Sequence, residues 1–281
     1  MKIVREKSQA TEGTGEDGPS LLERDAAIAA IVATLEAVQR GDHAVLLVLG
    51  TAGIGKTSVL RVGRQLAAQA GFQVGAAVGS PMESGLPFGL IGQAMVALGA
   101  GAPDDVVDLQ RLGGRSARLY RLFRGLVTLA AQRPLLLALD DLQWGDPDTL
   151  ELLGFACRRL AGARIMVLGS LRPEPDPASL LAAELVGSGQ AESLTLAPLG
   201  REASVALLHR VAGCPLAGAD SDRIWEMCAG SPLLLKAAAW QLRADGALPG
   251  PSAAAGFAAT LLLNRFVGAG EDALAYVNAA A

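Results

Sequence analysis

The 281-residue sequence is poor in the residues that most often carry metal, redox or stacking chemistry. Histidine occurs twice, at His43 and His209, and cysteine three times, at Cys157, Cys214 and Cys228, with no Cys-x-x-Cys pair. No zinc-ligand spacing can be assembled from these positions. The odd, scattered thiols read as free cysteines of a protein in a reducing cytoplasm. His43 precedes a strand and His209 lies among helix formers, so both read as bystanders and a histidine-based triad finds no support. Aromatics are only 4%, which argues against stacking platforms for single-stranded nucleic acid. Positive charge is in deficit, 24 cations against 28 carboxylates, and a general grip on DNA is not expected of a chain at −4. No clean membrane span is present either. Residues 1–20 lack an apolar signal core, and the uncharged run 246–264 contains Pro249 and Pro251, which reads as a link running into a helix.

Hydrophobic residues make up 51% and charged residues 19%, a balance that excludes wholesale disorder. After a polar leader over residues 1–20, apolar residues recur at helical spacing from Leu21 to about Gln39. The pattern then alternates. Short unbroken apolar runs at 44–49, 72–78, 135–139 and 165–171, with a weaker one at 193–196, read as strands. Helical stretches at 56–70, 88–98, 115–132 and 149–160 separate them. Between 98 and 115 the sequence reads as a Gly/Asp-rich loop. Unbroken apolar strands between helices imply a parallel sheet buried on both faces, an α/β fold. Beyond about Leu199 only helices are expected, at 201–211, 222–229, 232–242, 254–267 and 271–281. The expected organisation is a leader (1–20), an α/β core (21–199) and a helical lid (200–281). The last stretch ends without a cap or a basic final turn, so it reads as a cut end of a longer protein.

Gly50-Thr-Ala-Gly-Ile-Gly-Lys-Thr57 matches G-x-x-x-x-G-K-[ST], follows an apolar strand and opens a helix. In a phosphate-binding loop of this kind, Gly50, Gly53 and Gly55 let the backbone curl, so that the N–H groups of Thr51, Ala52, Ile54 and their neighbours point inward at phosphate oxygens. The helix N-terminus adds its positive dipole end through Lys56, Thr57 and Ser58. The Lys56 ammonium would bridge the β- and γ-phosphates of ATP, and the Thr57 hydroxyl would ligate Mg²⁺. Arginine supplies 20 of the 24 cations, yet a lysine stands where a slim point charge is wanted.

The run 135–139 ends in Asp140-Asp141. A carboxylate closing a buried strand beside such a loop is placed to hold Mg²⁺, the role expected of Asp140, and Asp141 could polarise the attacking water. Asp146-Pro147 reads as the cap and first residue of the next helix, and Trp144 as a packing residue. Arg172, at the carboxyl end of the fourth strand, lies where an open α/β sheet binds ligands and could read a γ-phosphate.

At these residues the chain resembles the AAA+-related ATPase module of the signal-transduction ATPases with numerous domains (STAND). It looks most like the large ATP-binding LuxR-family regulators of the maltose-activator type, over roughly residues 21–281. The run Asp140-Asp-Leu-Gln-Trp-Gly-Asp-Pro147, with Arg172-Pro173 and Gly230-Ser-Pro-Leu-Leu-Leu235, carries the resemblance. It implies that Arg172 is a sensor arginine and that Pro232 packs near the adenine. It also implies that Ala197-Pro198-Leu199 joins strand to lid and that Arg24 frames the adenine side. The chain departs from the group twice. Glu23 stands where Gly is usual before the arginine, and Asp141 stands where AAA+ motors have a catalytic Glu, which fits slow hydrolysis. The implied function is an ATP- and Mg²⁺-binding regulatory switch that self-associates on binding ATP and reaches DNA only through a domain outside this chain. The alternatives are an ATPase of active turnover, an interaction module with a degenerate pocket and, more weakly, a small-molecule kinase.

Overall fold

A computed structural model describes residues 21–99, 114–213 and 218–245. The expected leader, the 98–115 loop apart from its ends, Cys214 and the expected helices at 254–267 and 271–281 lie outside these residues. Five strands form one wholly parallel sheet: β1 (Ala44–Leu49), β2 (Gln73–Val78), β3 (Leu135–Asp140), β4 (Ile165–Leu171) and β5 (Glu192–Thr195), in the order β2-β3-β4-β1-β5.

Alternation within the apolar runs of the central strands explains why they carry so few polar residues. Val45 and Leu47, Leu135, Leu137 and Leu139, and Ile165 and Val167 point to one face of the sheet. Leu46 and Val48, Leu136 and Ala138, and Met166 and Leu168 point to the other. The first face is covered by α3 (Gly89–Ala97), α4 (Arg115–Gln132), α5 (Pro147–Cys157) and α6 (Pro177–Gly187); the second by α1 (Asp25–Gln39) and α2 (Lys56–Gln69). Both faces are covered by helices, so both are apolar. At the sheet's edge β5 is mostly exposed, which accounts for its weak apolar signal.

Helix α6 has no counterpart in the expected pattern. Pro173, Pro175 and Pro177 suggest a loop, but Asp176 is an N-cap, accepting from the Ser179 N–H at 2.8 Å, and Pro177 sits at the first helical position where proline is tolerated. A third apolar cluster is built from α7 (Arg201–Ala212), α8 (Gly218–Cys228) and α9 (Pro232–Asp245), with Leu208, Ile224 and Leu235 at its centre. Among the described residues no helix is long and apolar enough to cross a membrane.

Candidate functional site: the carboxyl ends of the central strands

The sheet order brings three chain segments together. β4 lies between β1 and β3, with Leu49 opposite Leu171 and Leu139 opposite Gly169. The loop after β1, the aspartates at the end of β3 and Arg172 after β4 therefore leave adjacent strand ends on one side of the sheet, the usual ligand crevice of an open α/β fold.

Residues 50–55 curl into a loop that caps α2, with Gly53 at φ +77° and Gly55 at φ +104°, values that L side chains rarely adopt. Lys56 is 6% exposed, and its ammonium donates to the carbonyls of Gly50 at 2.8 Å and Thr51 at 3.1 Å. Thr51, Ala52 and Thr57 are exposed, Ser58 is half-buried, and Ile54 is packed into the core beneath.

Asp140 is buried, and its Oδ1 accepts a short hydrogen bond from the Ser170 hydroxyl. That hydroxyl accepts in turn from the Asp141 N–H at 2.9 Å. Ser170 thus ties both aspartates to β4. Sequence reasoning did not single it out, although a lone serine in the apolar run 165–171 was the available signal. Asp141 adopts φ +54°, with its Oδ1 accepting from Gln143 Nε2 at 2.9 Å. Arg172 is half-buried, with its Nε buried and without an acceptor.

The third cluster closes over the loop. The Gly230 carbonyl accepts from the Leu199 N–H at 2.9 Å, fixing the turn before α9 to the end of the core. The Leu233 N–H, in the first turn of α9, donates to the Gly53 carbonyl at 3.2 Å. A cleft of roughly 530 Å³ empty volume, its open mouth included, lies between the two parts and is lined by Arg24, Gly55, Ser58, Pro232 and Lys236 among others.

Arg24 is 6% exposed. Its Nη2 donates to the carbonyls of Ile54 and Ala197, both at 3.0 Å, so one guanidinium joins the phosphate-type loop to the chain entering α7. Burial pulls the Arg24 guanidinium below its ordinary value, and the neighbouring Glu23 carboxylate pulls it back up. Glu23 itself takes φ +52°, the left-handed conformation for which glycine is usual, and its Oε2 accepts from the Gly200 N–H at 2.7 Å at the start of α7.

The structure therefore gathers the 50–58 loop, Asp140, Asp141 and Arg172 at neighbouring strand ends, and sets Arg24 and Pro232 on the walls of one adjoining cleft. Asp146 serves structure. At 1% exposure it accepts from the N–H groups of Phe88, Leu90 and Thr149 and from the Thr149 hydroxyl. Trp144 is half-buried in the 3-10 turn Leu142–Trp144.

None of the curated proteins compared with the chain matches it in sequence. Solved structures match its fold. The Aeropyrum pernix ORC2 protein, in ADPNP and ADP complexes, aligns at 20% identity and TM-score 0.56 over 85% of this chain and 68% of that one. The A. pernix ORC1 protein in complex with DNA aligns at 18% and 0.58 over 86% and 66%. The Walker-type ATPase PABY2304 of Pyrococcus abyssi aligns at 15% and 0.56 over 88% and 74%. Identities this low speak to the fold, that of AAA+ P-loop ATPases. In sequence, the AAA ATPase domain model matches residues 20–168, just over half the chain, and the chain belongs to that AAA ATPase family.

Proposed function

We propose that this chain is a regulatory switch module that binds ATP with Mg²⁺ and hydrolyses it slowly, the N-terminal part of a LuxR-type transcriptional regulator working in the cytoplasm. The observation that carries the reading is the contact between the first turn of α9 and the loop itself, Leu233 N–H to Gly53 carbonyl. A helical unit resting on the phosphate-binding backbone has a differential contact to gain or lose as that backbone responds to phosphates, which a switch requires.

In this reading residues 1–20 are a leader, 21–199 the nucleotide core and 200–281 the lid. The N–H groups of residues 50–58 cradle the phosphates. Lys56 exchanges its two carbonyl acceptors for the β- and γ-phosphate oxygens. Arg172, whose Nε is buried without an acceptor, finds one on the γ-phosphate. Arg24 and Pro232 flank the adenine. Among the described residues no group of three or more His, Cys, Asp or Glu could hold a metal alone. One carboxylate, Asp140, and one hydroxyl, Thr57, instead suit Mg²⁺, a hard cation usually held by few protein oxygens together with phosphates and water. Bound there, Mg²⁺ would neutralise charge developing on the phosphates. Asp141 orients the attacking water. Its side chain is one methylene shorter than Glu and one of its oxygens is engaged by Gln143, so it reaches an attacking water less well and turnover is slow. ATP binding favours self-association, and DNA is reached through a domain outside the chain.

The test is nucleotide binding and turnover by the purified chain. Lys56→Ala should abolish tight ATP binding, and unchanged affinity would remove the loop from the site. Denatured fresh protein should release ADP in stoichiometric amount. An empty protein turning over ATP many times per second, or one stimulated by DNA, would favour an ATPase of active turnover.

A further inference from the structure

A second concave surface lies at the other end of the sheet, where β3 and β4 begin. It is a groove of roughly 800 Å³ empty volume, open to solvent, between α4 and the loop joining α5 to β4. Its floor is apolar, from Phe123, Val127 and Ala130, and its charged lining consists of Arg124, Arg159 and Arg164, with no carboxylate among the lining residues. This is an excess of three positive charges in a chain whose net charge is −4. Helix α4 carries four arginines and no acid, and the nearby carboxylates are engaged elsewhere, with Asp148 and Glu151 on Arg115 and Glu184 on Arg158.

Two of the arginines are held in place. Arg164 Nη2 donates to the Ala130 and Ala131 carbonyls at the C-terminal end of α4, at 3.4 and 3.2 Å. Arg159 lies 4.0 Å over the Phe155 ring and donates to the Phe155 carbonyl. Aromatics, only 4% of the sequence, concentrate here. Phe155 packs edge-on against Phe123 at 5.5 Å, Phe123 lies 6.5 Å from Tyr120, and Tyr120 is 54% exposed at the groove wall. Anchored arginines and an exposed tyrosine around an apolar floor are the residue types that concentrate binding energy at protein interfaces, because a planar guanidinium takes a carboxylate in two parallel hydrogen bonds with little entropy left to lose.

We propose that this groove docks an acidic segment of a partner protein, with carboxylates on Arg124, Arg159 and Arg164 and an apolar side chain on the Phe123 floor. Charge complementarity selects the occupant. Nucleic acid fits less well. A phosphate backbone calls for a longer basic stripe, and the net negative chain repels a long polyanion. A short acidic peptide presents its few charges where the arginines are and buries its apolar residue where a phosphodiester has none.

The test is fluorescence polarisation with the full chain and a labelled Asp-Glu-Asp-Leu-Phe-Asp-Glu-Asp peptide. Its competitors are the peptide with every acid replaced by Lys, the peptide with Gly-Ser at its centre, and a short single-stranded or duplex oligonucleotide. Saturable binding is expected for the first peptide alone, weakened by salt. The double variant Arg124→Glu/Arg159→Glu should weaken it by about tenfold or more, because buried or anchored charge pairs dominate such contacts. Arg223→Glu, on α8, should leave it unchanged. Circular dichroism shows whether the double variant keeps its fold. If it does not, Arg124→Gln, at an exposed position, should weaken binding about threefold. The proposal is overturned if the acidic peptide binds no better than its Lys counterpart, if Arg124 substitution has no effect on the folded chain, or if the oligonucleotide displaces the peptide.

Discussion

The backbone N–H of Leu233 donates to the carbonyl of Gly53 at 3.2 Å, so the first turn of the last described helix rests on the glycine-rich loop itself. The fit leaves no space. A Cβ added at Gly53 would lie 2.8 Å from Leu233 Cβ, and the residue already holds φ +77°. Gly53→Ala should therefore destabilise the protein by about 1–3 kcal/mol, through backbone strain and overpacking together. The double variant Gly53→Ala/Leu233→Ala keeps a Cβ–Cβ clash and should recover little. Gly53→Ala/Leu233→Gly should relieve the clash but leave the strain. Urea denaturation of the three proteins separates the contributions, and equal stability of wild type and Gly53→Ala would mean the contact yields easily.

Asp146 makes a prediction of the opposite kind, large for stability and small for nucleotide. One carboxylate serves two helices, capping α5 through Thr149 and reaching across to the Phe88 and Leu90 N–H groups that open α3. Asp146→Ala would leave these buried donors without acceptors and should cost roughly 3 kcal/mol or more. Asp146→Asn should fall between, since its NH₂ must face a donor. By contrast, Arg115→Ala breaks exposed pairs with Asp148 and Glu151 and should cost under about 1 kcal/mol. If Asp146→Ala unfolds no more easily than Arg115→Ala, the hub is not what holds α3 to α5.

What the sequence made readable follows from how local each signal is. The sheet was legible because burial on both faces forces every residue of 135–139 and 165–171 to be apolar or small. The loop was legible because its glycines, Lys56 and Thr57 form one contiguous pattern between a strand and a helix. Helix α6 was not, because three prolines within five residues suggest a loop, and only the spacing of Asp176, Pro177 and Ser179 tells a start from a break. Ser170 was hidden because its role depends on register across strands, which places it beside Asp140 of a chain segment 30 residues away. The Leu233 contact was hidden for the same reason: a backbone N–H carries no sequence mark of its partner.

Glu23 separates backbone strain from side-chain bonding. Its φ of +52° favours glycine, while its carboxylate accepts from the Gly200 N–H at the start of α7. Glu23→Gly relieves strain worth about 1 kcal/mol and loses a cap worth about as much, so stability should change little. Glu23→Ala keeps the strain and loses the cap, and should be about 1 kcal/mol less stable than Glu23→Gly. Thermal midpoints of these two variants in the reverse order would mean that the left-handed φ is not strained, and a wild type no more stable than Glu23→Ala would mean that the Gly200 contact contributes nothing.

The two described cysteines give a pH dependence of known sign. Burial pushes the Cys157 thiol up to about 11 and the Cys228 thiol up to about 11, from an ordinary value of 9.0. Both are shielded in the folded chain, at 3% and 2% exposure, and should react with a thiol reagent only as fast as the protein opens. Below the ordinary value both thiols are protonated whether the chain is folded or not, so they add no pH dependence. As pH rises from 9.0 towards about 11, the unfolded chain ionises while the folded chain does not, and stability falls across that window. Tyrosines and lysines titrate nearby, so the measurement is a difference. Urea midpoints of the wild type and of Cys157→Ala/Cys228→Ala are compared at about pH 8 and about pH 10. The double variant starts less stable, because both sulfurs are packed, but should lose less between the two pH values. An identical loss in both proteins would mean that neither thiol resists ionisation in the folded state.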